Sequence, residues 1–125
     1  GSPSDMTSPR ATVQLLRAMA RRPDFPVYRE ALPILGIDGT LATAVDAKSP
    51  ARGKVQAKTG TYVVDNPLNG NRLLTSKALG GYLTTRSGKQ LVISILLNNR
   101  MLTDADGINR EGRVIGRLCE VIHED

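Results

Sequence analysis

Aromatic residues are scarce in this chain of 125 residues, which has no tryptophan, one phenylalanine and three tyrosines. A buried core must therefore be built mainly from Leu, Ile, Val and Ala. No apolar run approaches the roughly 20 residues that a membrane-spanning helix needs. The longest run, LVISILL at 91–97, has the length of a buried strand. A chain of this length is enough for one domain with a modest core.

Cysteine and histidine occur only once each. A single cysteine cannot form an internal disulfide, and Cys119 lies in an apolar helical pattern, so we interpret it as a small buried hydrophobe. His123 lies near the end of the same pattern, and we interpret it as a surface residue. Because one histidine cannot build a zinc site, the sequence predicts no metal, and we expect no cofactor.

The net charge of +5 favours an anionic partner: a nucleic acid, an acidic membrane surface, a cell-wall polymer or a carboxylate substrate. The basic residues are scattered, however, and the densest group is Arg17, Arg21 and Arg22. Aromatic side chains that could stack on bases are nearly absent. We therefore predict no nucleic-acid partner.

Helical patterns occur at both ends of the chain. Residues 7–22 predict a helix that Thr7 or Ser8 caps, with Pro9 in its first turn. Residues 24–35 and 41–48 predict two short helices on either side of a turn at 36–40, in which Asp38 is a turn residue. Apolar residues recur at helical spacing over 108–125 and predict a terminal helix.

Between these helices the apolar pattern changes to a period of two. It predicts strands at 54–64, 76–86 and 90–99, with a hairpin tip at Asn69-Gly70 and a tight turn at 87–89. The third strand is the most apolar, so we expect it at the centre of the sheet, with turn formers at its end, Asn98 and Asn99. The predicted fold class is α+β: an antiparallel sheet of three consecutive strands, on which an N-terminal helix and a C-terminal helix pack.

Two features of the second strand allow sharper expectations. Its glycine pair, residues 80–81, permits a close backbone approach or a bulge. Tyr82 is expected in the core, with its hydroxyl hydrogen-bonded, because a buried phenol needs a partner.

The first strand carries Lys58-Thr59-Gly60 at its centre, where these three residues pack poorly. Gly60 weakens the strand and exposes its backbone, which is explained if an extended peptide lies along this edge. Lys58 would then offer a positive charge, and Thr59 or Thr61 a hydroxyl, to a carboxylate. An exposed lysine on an ordinary strand beside a bulge is the alternative.

Lys-Thr-Gly is also one of three motifs of the serine penicillin-recognising enzymes. It follows LPILGIDGTL (32–41) within SPARGKVQAKTGT (49–61), and KALGGYLTTRSGKQLVISILLNN (77–99) comes after it. In this order the segments resemble the DacB-type D-alanyl-D-alanine carboxypeptidases, the low-molecular-mass class C penicillin-binding proteins. The resemblance covers nearly the whole chain.

The resemblance implies the penicillin-binding protein/serine β-lactamase-like fold, with residues 1–125 as the C-terminal portion of a transpeptidase-like domain. It implies a serine-type carboxypeptidase, with endopeptidase activity left open, that acts on peptidoglycan stem peptides through an acyl-enzyme and binds β-lactams. Such an enzyme works in the cell envelope outside the cytoplasm, in the periplasm or on the outer face of the membrane, and is secreted through an upstream signal.

Site residues follow from the same resemblance. Lys58 is the catalytic residue that brings positive charge near the terminal carboxylate of the substrate. Thr59, Gly60 and Thr61 are the substrate-binding residues, and the backbone near Thr61 supplies one N–H of the oxyanion hole.

The chain departs from the family pattern because it contains no Ser-x-x-Lys. We therefore expect the nucleophile in a missing N-terminal part or a partner chain, and we expect the 125 residues alone to be inactive. The second motif, Ser-x-Asn, would fall just before Pro9, where Ser2 is the candidate serine, with Ser4 or Asp5 in place of the asparagine. A tag remnant is the alternative for Ser2. The connection over residues 62–76 is also longer than usual.

Two other functions stay open. The chain could be a non-catalytic binding or scaffolding module on the same fold. It could also belong to a β-lactamase or esterase of the same superfamily, in which the acyl-enzyme has a different fate.

Overall fold

A computed structural model of the protein describes residues 5–125. Its elements, in chain order, are α1 (Pro9–Met19), α2 (Phe25–Glu30), a short 3-10 turn (Gly39–Leu41), β1 (Val55–Asp65), β2 (Arg72–Thr84), β3 (Gln90–Leu102) and α3 (Gly107–Glu124). The strands form one antiparallel sheet in the order β1-β2-β3. The predicted α+β class is confirmed. None of the helices over residues 5–125 is both long and apolar enough to cross a membrane.

The sheet has helices on both faces because successive side chains of each strand point to opposite sides. One face carries the main apolar cluster, in which β1, β2 and β3 pack against Ile115 and Cys119 of α3. On the other face, α1 lies over Gly80, and Phe25 of α2 makes an edge-to-face contact with Tyr82 at 4.9 Å between ring centroids. The sheet is therefore the middle layer of three.

Helix α1 begins where the sequence predicts, but it ends earlier than expected. The Ala11 N–H donates to Ser8 Oγ at 3.2 Å, so Ser8 is the cap. The helix ends at Met19 instead of residue 22, since Arg21 and Arg22 donate to the carbonyls of Ala18 and Met19 in tighter turns ahead of Pro23.

The glycine pair of β2 allows the close backbone approach that we predicted. Gly81 pairs with Ala57, and a Cβ atom at position 81 would lie only 2.5 Å from the Ala57 Cα. Beside it, the buried Tyr82 hydroxyl donates to the Leu16 carbonyl at 2.8 Å, as expected for a core tyrosine.

The central strand is β2, so the expectation that the third strand lies at the centre was wrong. An apolar run indicates burial, which β3 achieves as an outer strand between α1 and α3. The prediction of Asn98 and Asn99 as turn formers was also wrong. Both continue β3, although Asn99 does adopt a left-handed φ of 57°.

The long β1–β2 hairpin explains why β2 begins at Arg72 and not at residue 76. A shift in register between Tyr62 and Val63 lets the ladder resume, and it continues to the pair Asp65–Arg72. That pair also forms a salt bridge at 3.0 Å.

The two short helices predicted around the turn are mostly not formed. The first ends at Glu30, and residues 41–48 contribute only the end of the 3-10 turn. The first helix is shorter than predicted because Pro33 and Leu35 make backbone hydrogen bonds to β1 instead of helical ones. Asp38 is the predicted turn residue, and its Oδ1 accepts the Ile34 N–H at 2.6 Å.

His123 is buried, so its interpretation as a surface residue was wrong. It is 5% exposed, and its Nδ1 lies 2.7 Å from the Thr84 carbonyl oxygen, because the last turn of α3 packs on the β2–β3 hairpin. Cys119 is buried, as predicted, and burial raises the pKa of its thiol to about 12.

We expect Gly81→Ala to lower the free energy of unfolding by about 1–3 kcal/mol, because the new methyl would overlap the Ala57 backbone. Gly60→Ala is the matched control. A Cβ atom there would lie 3.7 Å from the Ala78 Cβ, so we expect no loss of stability and a gain of up to about 1 kcal/mol from replacing a glycine inside a strand. Urea unfolding of both variants checks this, and an unfolding midpoint of Gly81→Ala equal to that of wild type would contradict it.

Cys119 should resist alkylation in the folded protein, because the thiolate is the reactive form of cysteine. The Cys119 thiol is buried, and burial raises its pKa to about 12, so very little thiolate is present at pH 8. Mass spectrometry after iodoacetamide treatment at pH 8 should show no adduct under native conditions and complete modification in urea. Rapid modification without urea would show that α3 does not pack on the sheet as described.

Candidate active site

The outer edge of β1 is covered along its first residues and open beyond them. The Leu35 N–H donates to the Val55 carbonyl and the Ala57 N–H to the Pro33 carbonyl, both at 2.9 Å. Within residues 5–125, no backbone group continues this pairing past Ala57. Lys58-Thr59-Gly60 therefore begins where the edge opens.

Strand alternation determines which groups the open edge presents. The backbone of Thr59 and Thr61 has the same orientation as that of Val55 and Ala57, so their N–H and C=O groups point away from β2. An extended chain lying along this edge would meet the N–H groups of Thr59 and Thr61 and their carbonyls at strand spacing, of which the Thr59 carbonyl also accepts from Lys58 Nζ.

Lys58 lies on the face of β1 toward α1, opposite Gly80 of β2. Its side chain is exposed and bends to the edge, where Nζ donates to the Thr59 carbonyl at 2.8 Å. No carboxylate within residues 5–125 forms a salt bridge with this ammonium group. A positive charge without an acidic partner thus lies beside the outward backbone groups.

Thr59 and Thr61 point to the other face of the strand, toward α3. Both line a cavity of about 240 Å³ between β1 and α3, whose other polar side chains are Thr40, Thr43, Lys77 and Asn109. The Thr59 hydroxyl donates to the Thr40 hydroxyl at 2.8 Å. The structure therefore separates Lys58 from the two hydroxyls: the ammonium lies on one side of the edge and the hydroxyls on the other.

Packing within residues 5–125 does not require a glycine at position 60. Its φ is not positive, and a Cβ atom there would make only an ordinary contact with Ala78. It lies on the same face as Lys58 and leaves the surface next to that side chain open. The conformational cost of a glycine inside a strand is thus not compensated by packing.

Lys77 is a residue of this site that the sequence reading missed. It is 8% exposed, and its Nζ donates to Thr61 Oγ1 at 3.3 Å. Burial lowers the pKa of its ammonium, and the nearby carboxylate of Glu111 partly opposes this shift. The available signal was spacing, since Lys77 is in phase with the inward-facing Leu79 and Leu83.

Ser2, the candidate serine of the second motif, lies outside the described residues. Of the sequence-predicted site residues, Lys58, Thr59, Gly60 and Thr61 are therefore the ones whose arrangement is known.

The family comparison matches residues 2–120 to the D-Ala-D-Ala carboxypeptidase 3 (S13) family. Among curated protein sequences, none matches this chain.

Among solved structures, two crystal structures of penicillin-binding protein 4 (dacB) from Haemophilus influenzae are similar to this chain. One, a complex with a β-lactam, has 20% sequence identity and a TM-score of 0.67, and the match covers 94% of this chain and 26% of that one. The other has 19% identity and a TM-score of 0.65, with coverages of 95% and 25%. The chain thus spans about a quarter of the length of that protein and shares the fold of the matching part.

The family match extends over nearly the whole sequence and includes the open edge, its lysine and its hydroxyls. The fold predicted from the motif order is also the fold of the matching solved structures. The chain belongs to the D-Ala-D-Ala carboxypeptidase 3 (S13) family.

Proposed function

We propose that this chain is the part of a serine-type D-Ala-D-Ala carboxypeptidase that holds the acidic end of a peptidoglycan stem peptide. Residues 1–125 would be the C-terminal portion of the transpeptidase-like domain. The observation that carries the proposal is the end of edge pairing at Ala57: within residues 5–125, no other strand pairs with the outward backbone of Thr59 and Thr61. The Lys58 ammonium, which donates to the Thr59 carbonyl and forms no salt bridge in this range, lies beside them.

The substrate peptide would lie along this edge as an added strand. Main-chain hydrogen bonds supply affinity in such a complex, and they need no side chain on the strand that receives the peptide. The absence of a side chain at Gly60 lets the peptide approach the backbone closely. The outward N–H of Thr61 would donate to the carbonyl oxygen under attack and stabilise the negative charge that develops on it.

The terminal carboxylate would be bound by charge and by a hydroxyl. Lys58 supplies a compact positive charge on one side of the edge. Thr61 supplies a hydroxyl on the other side. Thr59 would act less directly, because its hydroxyl already donates to Thr40.

The nucleophile would be a serine outside this chain, since the 125 residues contain no Ser-x-x-Lys. The serine oxygen adds to the carbonyl carbon of the D-Ala-D-Ala amide as its proton passes to a base. The C–N bond then breaks, the amine of the terminal D-Ala takes up a proton and leaves, and an ester remains on the serine. Water hydrolyses this acyl-enzyme and releases the shortened peptide.

The substrate places the complete protein in the cell envelope outside the cytoplasm, where peptidoglycan lies. The same site would react with β-lactams, whose carboxylate and strained amide imitate the end of the stem peptide. Both the resemblance noted above and the family membership support this assignment.

We expect Lys58→Ala to slow acylation of the complete protein by labelled penicillin by about 10²–10³-fold, the size of effect that follows the loss of one electrostatic contact to a reacting group. Lys54→Ala is the matched control. Lys54 is an exposed lysine just before β1 whose side chain forms no hydrogen bond or salt bridge within residues 5–125, so its loss should leave the rate unchanged. The 125-residue chain alone should take up no label.

Several results would contradict these roles. Equal acylation rates of Lys58→Ala and wild type would remove Lys58 from the site. A complete protein that neither binds penicillin covalently nor releases D-Ala would indicate a non-catalytic module. Fast turnover of the β-lactam itself would favour a β-lactamase.

The role of the Thr61 N–H is tested by comparing Thr61→Pro with Thr61→Val in the complete protein. Both variants lose the hydroxyl, but only proline also loses the backbone donor, and an outward-facing position on an edge strand tolerates proline. We expect the proline variant to be acylated about 10²–10³-fold more slowly than the valine variant. If the two rates agree while circular dichroism shows both proteins folded, this N–H takes no part in the oxyanion hole.

A further inference from the structure

We propose that Lys77 is a positioning residue for Thr61. Its buried ammonium donates a hydrogen bond to the Thr61 hydroxyl oxygen, so that the hydroxyl proton remains available to hydrogen-bond the carboxylate of a substrate. This inference rests on the proposed function and adds to it a residue on the neighbouring strand. Lys77 and Thr61 are directly paired across β1 and β2 on the face toward α3.

The burial of Lys77 calls for a reason. An ammonium group loses most of its hydration when a strand, a helix and a cavity wall enclose it, and such burial is costly unless partners compensate. Helix α3 passes close to it, since a Cβ atom at Gly112 would lie 3.5 Å from the Lys77 Cε. Ordinary core packing would favour an apolar side chain at this position.

The partners of Lys77 are few and have a defined arrangement. Within residues 5–125, its one hydrogen bond goes to Thr61 Oγ1 at 3.3 Å. The carboxylate of Glu111, which is 6% exposed, acts on it electrostatically, and that carboxylate also accepts from Arg100 Nε at 3.2 Å. The salt bridge of Glu111 is thus with Arg100, whereas Lys77 forms no salt bridge within residues 5–125, which leaves positive charge on the Thr61 side.

Donor chemistry then determines the direction of the Thr61 hydroxyl. An ammonium group has three donors and no acceptor, so Thr61 Oγ1 must accept from Lys77. Its own proton cannot be given to Lys77, and this hydroxyl forms no second hydrogen bond within residues 5–125. The proton is available beside the open edge, where an anionic acceptor would also benefit from the nearby positive charge.

The test uses two thioesters of an acylated D-alanine with the complete protein. The leaving group of the first ends in a carboxylate (thioglycolate), and the leaving group of the second ends in the corresponding carboxamide. We expect Lys77→Met to lower kcat/KM about 10- to 100-fold for the carboxylate substrate, the range for a lost hydrogen bond to a charged group, and less than about threefold for the carboxamide. In a Thr61→Val background, Lys77→Met should have almost no further effect on either substrate.

A structural role alone would give a different pattern. An equal loss on both substrates, or effects of Lys77→Met and Thr61→Val that simply add, would overturn the inference while the proposed function stands. If Lys77→Met does not fold, Lys77→Gln keeps a donor without the charge, and the same selective loss on the carboxylate substrate is expected. A wild-type protein that is acylated by neither thioester would overturn the proposed function and, with it, this inference.

Discussion

The pairing of residues 33–35 with the first part of β1 is the constraint on which the site depends. Pro33 and Leu35 bond to Ala57 and Val55, and no backbone group in residues 5–125 continues that ladder. An open strand edge is usually a risk for aggregation, and proteins cover it or limit its length. Here the cover stops at the residue before the lysine, so the exposed edge is confined to the part of β1 that carries the motif.

The covering segment is held by its own local structure. Leu35 and Leu41 are fully buried in the main cluster, and between them the chain turns sharply at Gly36, whose φ is +72°. A side chain at this position would be strained and would also meet Arg52. Gly36 and Asp38, whose carboxylate accepts the Ile34 N–H, therefore hold the covering segment in its turn.

The two faces of β1 divide the chemistry of the site. The ammonium of Lys58 lies toward α1 in an exposed position, whereas the hydroxyls of Thr59 and Thr61 face a cavity walled by α3. Because alternate residues of a strand point to opposite faces, Lys58 lies on one side of the edge, and Thr59 and Thr61 lie on the other. A carboxylate bound at that edge could therefore contact the Lys58 ammonium from one face and a threonine hydroxyl from the other.

The sequence alone determined the class of the fold, the three consecutive strands, both long helices and the strand that carries the motif, because apolar periodicity and turn residues are local signals. It also indicated the close approach at Gly81 and the buried Tyr82. Only the tertiary structure decided that β2 is central, that residues 41–48 form no α-helix, and that His123 and Lys77 are buried. Those outcomes depend on which segments pack together. The burial of Lys77 and His123 is compensated by partners that are distant in the sequence, namely Thr61, Glu111 and the Thr84 carbonyl, and a local sequence pattern does not reveal such partners.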